Sequence, residues 1–208
     1  MGYMYPKINR PGGRLIFSIY FLWAHNYTKQ MTSEEDIKLM QRIASADEDA
    51  LSILMNRHIH QVIRLAEKIL GSLTEAEDIA QEVFMKIWKA APNWTPEASL
   101  KTWIYRITFN RCLDLKRRVK YKLDLLEETS LEHAQKDVSE EAAAVKEAVK
   151  LLSLKERTAV VLHHYEGYSQ KEAADIMGVS LRTFERAIAA ATENLKTIVQ
   201  KHCAVQIS

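Results

Sequence analysis

A chain of 208 residues with 47 % hydrophobic side chains can bury a core in one domain or in two, which excludes a disordered or fibrous polypeptide. Its net charge of +2 says nothing by itself about a polyanionic partner. Its two cysteines, Cys112 and Cys203, have no Cys or His at metal-ligand spacing, which argues against a disulfide framework and a zinc site and fits a reducing compartment.

The amino-terminal 30 residues read as an extension apart from the fold. Leu15 to Ala24 is almost wholly apolar and follows Lys7, Arg10 and Arg14, in the manner of an export signal. Crossing a bilayer takes about 20 apolar residues, so the run is too short, and no small-residue cleavage site follows. The preferred reading is that translation starts at Met31, where Thr32-Ser33-Glu34-Glu35 opens a helical pattern; a membrane or partner tether is the second.

From Ser33 onward, Gly and Pro are scarce and apolar residues recur at three and four, so the chain is expected to be all α. Leu51, Leu54, Met55, His58, Val62, Leu65 and Ile69 form one stripe ending at Gly71, a helix C-cap. Thr74-x-x-Glu77 is expected to start the next helix, in which Ile79, Val83 and Ile87 share a face; Pro92 and Pro96 bound the loop after it. A further helix is expected from about Ser99. In it Leu100, Ile104, Ile107 and Leu115 can face a core, while Arg106, Asn110 and Arg117 fall opposite at spacings of four and seven.

Charge is segregated along this helix. Lys101, Arg106, Arg111, Lys116, Arg117, Arg118, Lys120 and Lys122 are opposed only by Asp114, a local +7 in a chain whose total is +2. Trp88, Trp94, Trp103, Tyr105, Phe109 and Tyr121 lie among or beside these residues. Basic groups hold phosphates and aromatic faces stack unpaired bases at about 1–3 kcal/mol each, so the mixture suits an opened nucleic-acid strand. Burial in the core is an equal claim on Trp88 and Trp103. Histidines 58 and 60 point to different helix faces and read as incidental, and no metal or other cofactor is assigned.

An acidic connector, 123–139, then separates a second helical module, 140–208. Glu140 to Leu152 is expected to be helical, Ser153 to Glu156 is a capping box, and Gly167 ends the helix it opens. Ser169-Gln170-Lys171-Glu172 caps a short helix through Met177, Gly178 turns the chain, and Ser180 caps a helix containing Phe184 and Ile188. This is a helix-turn-helix pattern that leaves Arg182, Thr183, Glu185 and Arg186 outward for a major groove.

Taken together, the two halves resemble the sigma-70 family, in particular its short extracytoplasmic-function members, over nearly all of Asp47 to Lys201. Ala76 to Phe84 resembles the segment that docks on RNA polymerase, with Asp78, Gln81, Glu82 and Phe84 matching it. Ser99 to Ile107 and Asn110 to Arg118 resemble the segment that melts the minus-ten promoter element and captures a flipped non-template base. The residues carried over are Lys101, Thr102, Trp103, Tyr105, Arg106, Asn110, Arg111, Lys116, Arg117 and Arg118. Leu152 to Leu154, Arg157 and Tyr165 to Ser169, leading into the helix-turn-helix, resemble the minus-thirty-five domain, which gives Ser180, Arg182, Thr183, Glu185 and Arg186 the upstream contacts.

The resemblance implies two small helical domains on a flexible acidic linker: residues 31–122 for core polymerase and the minus-ten element, 140–208 for the minus-thirty-five element. It also implies a non-enzymatic transcription initiation factor of the cytoplasm and nucleoid. Its partners would be core RNA polymerase, promoter DNA and an anti-sigma factor that can hold it at the membrane, with no small-molecule substrate. One departure concerns the last helix, where Glu185, Ala187, Ala190 and Thr192 stand in place of several basic residues, so upstream binding is expected to be weak or carried by Arg182 and Arg186. A stand-alone operator-binding regulator is the alternative. A nuclease or recombinase ranks below it, since Asp78 and Glu82 lack a third acid or a nucleophile beside them.

Overall fold

The computed structural model describes residues 34–96, 98–126 and 148–205, so the amino-terminal extension, Thr32 and Ser33, most of the acidic connector and the expected helix start at Glu140 lie outside it. Among the described residues every regular element is helical. In chain order they are α1 (34–44), α2 (Glu48–Leu70), α3 (Leu73–Ala90), a short 3-10 turn (Ala91–Asn93), α4 (Leu100–Leu126), α5 (148–151), α6 (Leu154–Val160), a π turn (Val161–Tyr165), α7 (Gln170–Met177) and α8 (Leu181–Val205).

The first unit packs α2, α3 and α4 against one another, and Leu39, Met40 and Ile43 of α1 join the same core. Its α2 stripe is buried as its periodicity requires, from Leu54 through Val62 and Leu65 to Ile69. Gly71 closes α2 at φ +82° and hydrogen-bonds Glu67, a conformation glycine adopts without Cβ strain. The next helix starts earlier than the Thr74-x-x-Glu77 spacing predicts. Ser72 is its N-cap and accepts from the Glu75 amide, because Gly71 already releases the chain for a serine placed before Leu73. At the start of α4, Ser99 accepts from the Thr102 amide at 3.1 Å. That helix continues through Leu126, four residues into the stretch read as connector.

The second unit comprises α5 to α8. Ser153 with Glu156 and Ser169 with Glu172 form reciprocal capping boxes. Between these boxes the helix begun by α6 widens into the π turn before Gly167. At the end of α7, Gly178 (φ +64°) donates to Asp175 and Val179 to Ala174, a glycine-closed helix end that aims α8 away from α7. Phe184, fully buried, fixes the second helix of the pair.

The two units share one apolar core, running from Leu39 and Met40 to Met177 and Phe184. Arg157 of α6 reaches across to donate to the Ile69 carbonyl at 2.8 Å, and to Leu152 and Lys150 in its own unit. A cation is favourable at this spot because the exposed carbonyls of an α2 end carry partial negative charge.

Candidate polymerase and nucleic-acid surfaces

The core face of α3, Ala76, Ile79, Ala80, Val83, Phe84 and Ile87, leaves Asp78 and Gln81 exposed and Glu82 half-buried on its outer side. Met85, exposed, gives the outer side of the helix an apolar component beside its carboxylates. Phe84 departs from the expected contact set. It is 2 % exposed, because it follows Ala80 by one helical turn and lies beside Val83 on the core face.

On α4 the helical period separates the basic residues into two kinds. Arg106, Asn110 and Arg117 are exposed on one side, as their spacing requires. Three others face the carboxylates of α3: Arg111 lies 3.9 Å from Glu82, and 3.8 Å from Asp114 of its own helix, Arg118 lies 3.8 Å from Glu82, and Lys116 bonds Glu75 at 3.4 Å. Exposed pairs of this length contribute about 0–1 kcal/mol, so they orient the cations without committing them.

Trp103 and Trp94 are half-buried with ring centroids 6.1 Å apart. They line a cleft of ≈ 570 Å³ together with Lys86, Lys89, Asn93 and Arg106. Lys86 and Lys89, three apart at the end of α3, and Asn93 and Trp94 in the Pro-bounded loop bring cations, an amide and an aromatic face to the start of α4. Sequence reading assigned neither lysine nor Asn93 to a site. Their signal is the pair of basic residues on the outer side of α3 next to a Pro-Asn-Trp loop.

Tyr105 and Phe109 are buried. Tyr105 donates its hydroxyl to Glu166 of the second unit at 3.0 Å, and burial beside that carboxylate holds its ionisation above the ordinary tyrosine range. Lys101 stands over the rings of Tyr105 and Tyr168, 5.2 and 5.6 Å from their centroids. Thr102 completes this part of α4.

In the helix-turn-helix, Ser180 accepts from the Thr183 amide and its hydroxyl lies 2.8 Å from that of Thr183. Arg182, Thr183, Glu185 and Arg186 are exposed, as are Ala189 and Ala190, so the outward cations of the first two turns of α8 are the two arginines. Among the described residues no His, Cys, Asp or Glu group is disposed to hold a metal ion. No helix there is long and apolar enough to cross a membrane.

The sequence matches the family description "Sigma-70 region 2" over residues 54–121 and "Sigma-70, region 4" over residues 142–195, one on each unit. The chain belongs to the sigma-70 family. Its relatives place it in the extracytoplasmic-function branch. It is 28 % identical over 186 residues to the RNA polymerase sigma-H factor of Pseudomonas aeruginosa, covering 82 % of this chain and 96 % of that one. It is 29 % identical over 165 residues to the ECF RNA polymerase sigma factor SigM of Mycobacterium tuberculosis, covering 79 % and 84 %. With the ECF RNA polymerase sigma-E factor of Escherichia coli the identity is 28 % over 181 residues, covering 79 % and 94 %.

Two solved structures share the fold of this sigma factor. CnrH in complex with the cytosolic domain of CnrY has a TM-score of 0.58 at 24 % identity, covering 80 % of this chain and 97 % of that one. The sigma factor RpoE in complex with the anti-sigma factor NepR from Bartonella quintana has 0.59 at 22 %, covering 72 % and 96 %.

Proposed function

We propose that this sigma factor directs core RNA polymerase to its promoters by dividing recognition between the two units, with a separate residue set for each task. Asp78, Gln81 and Glu82 meet the polymerase from the outer side of α3. Arg106, Asn110 and Arg117 hold the backbone of the opened non-template strand, and the cleft of Trp94, Trp103, Lys86 and Lys89 takes an unstacked base of the minus-ten element. Arg182, Thr183 and Arg186 lie on the minus-thirty-five duplex. The observation that carries this reading is the cleft: a pair of tryptophans ringed by cations, beside an exposed arginine face and one helix away from an acidic face.

Unstacking a base costs a few kcal/mol, which stacking on an indole and phosphate contacts offset, so the activity is binding alone and involves no covalent step. It operates in the cytoplasm at the nucleoid, with residues 31–122 and 140–208 as its two functional domains. Because the RpoE structure contains an anti-sigma factor, a protein of that kind is the expected antagonist here.

Two double variants separate the roles. Asp78→Ala/Gln81→Ala should lower affinity for core polymerase about tenfold or more, equivalent to about 1.4 kcal/mol. Arg106→Ala/Asn110→Ala should leave core binding intact and abolish permanganate reactivity of the unpaired thymines in the promoter bubble. Loss of core binding in the second pair, or normal strand opening in it, contradicts the assignment. A regulator that binds operators alone would instead hold duplex DNA tightly without polymerase.

A further inference from the structure

The outward face of α8 carries an acid among its arginines. Phe184 is fully buried, so the helical period turns Arg182 and Arg186 outward opposite it, one turn apart, with Glu185 on one flank and Thr183 on the other. The Thr183 hydroxyl lies 2.8 Å from that of the cap, Ser180. Among the described residues, no hydrogen bond or ion pair engages the side chain of Arg182, Glu185 or Arg186. Glu185 follows Arg182 at a helical spacing that would allow the two to pair, and they do not. Beyond them Ala189 and Ala190 are exposed and end at Cβ, so the polar groups of this face that are free to reach a base edge are Arg182, Glu185 and Arg186.

In a major groove walled by phosphates, a carboxylate is repelled unless it meets a donor. The base edges there offer two, the amino groups of cytosine and of adenine. Guanine presents two acceptors and thymine an acceptor and a methyl group, and each opposes a carboxylate that can only accept. Adenine's amino group stands next to its own N7 acceptor, whereas cytosine's has no acceptor beside it on its own edge. We infer that Glu185 is a specificity determinant that selects cytosine at one position of the minus-thirty-five element, with Arg182 or Arg186 on a neighbouring guanine. This rests on the reading of α8 as the helix laid on the upstream duplex. The acid lowers general affinity for DNA and sharpens selection, because it repels the wrong bases at its position.

The test uses holoenzyme reconstituted from core RNA polymerase and the full chain, with duplex promoters randomised over both elements and sequenced after selection for binding. Wild type should fix cytosine at one upstream position with guanine close beside it, and replacing that cytosine should weaken holoenzyme binding about fivefold or more. Glu185→Gln supplies the amide that suits adenine N6 and N7, so it should change the preference at that one position from cytosine to adenine. Glu185→Ala should leave that position without preference and the rest of the element as in wild type. If wild type fixes no cytosine, if either variant keeps it, or if both variants only strengthen binding to every sequence alike, Glu185 is a solvated acid and the inference is wrong. Arg182→Ala/Arg186→Ala in the same selection separates the two ideas. Loss of the upstream element in that variant, with cytosine unmoved by the Glu185 variants, sinks the specificity role alone. An upstream sequence that none of these variants alters sinks the reading of α8 as well.

Discussion

At Ala46 the backbone turns through a left-handed conformation, φ +63°, at the end of α1. Ala46 donates to Ile43 and Asp47 to Arg42, the paired bonds of a helix end whose turning residue is ordinarily glycine. Ala46→Gly is therefore expected to raise stability by about 0.5–1 kcal/mol, read from urea denaturation, since relief of Cβ strain outweighs the added chain entropy. Cys112 shows the opposite situation, a side chain with no strain and no chemistry. Burial pushes its thiol up to about 12, and the Tyr105 and Tyr168 hydroxyls are raised for the same reason. In the unfolded chain these groups lose protons at their ordinary values, 9.0 for the thiol and 10.0 for the tyrosines, while the folded chain retains them. Stability should thus fall as pH rises through that range, and in a Cys203→Ser background Cys112 should react with iodoacetamide only at the rate of unfolding. Individual roles were unevenly legible at this scale. The exposed side of Arg106, Asn110 and Arg117 follows from helical period alone, and the same period puts Phe84 in the core although the motif groups it with Asp78, Gln81 and Glu82.

The elements themselves were legible wherever a cap and a period agree. Ser153, Ser169 and Ser180 each cap the helix they precede, and Gly71 and Gly178 end theirs in the left-handed conformation. Disagreement arose where two serine or threonine signals lie close together, as with Ser72 and Thr74, and where a helix changes pitch, as in the π turn, which no residue pattern announces. The helix-turn-helix depends on its first cap more than on any surface residue. Ser169→Ala should cost about 1 kcal/mol, lowering the melting temperature while leaving Arg182 and Arg186 in place. Arg182→Ala/Arg186→Ala should do the reverse. Thermal stability stays unchanged, and the dependence of upstream-DNA affinity on salt flattens by about two counterions.

Across the whole molecule the two units are more closely joined than a chain of two helical domains on a linker suggests. The contact of Tyr105 with Glu166 spans 61 residues of sequence and that of Arg157 with Ile69 spans 88, separations at which periodicity carries no information. Composition placed a basic surface on α4 and an acidic connector after it, but not the second unit folded back over the first. The shared core predicts one cooperative calorimetric transition for the whole chain. The two units serve a single task, bringing core polymerase to a promoter and opening it. Run-off transcription by purified core RNA polymerase on a promoter library, with and without the full chain, reads that task out. Discrete transcripts that appear only when the chain is present are the predicted result. An unchanged transcript pattern, with the chain bound tightly to duplex DNA by itself, would contradict it.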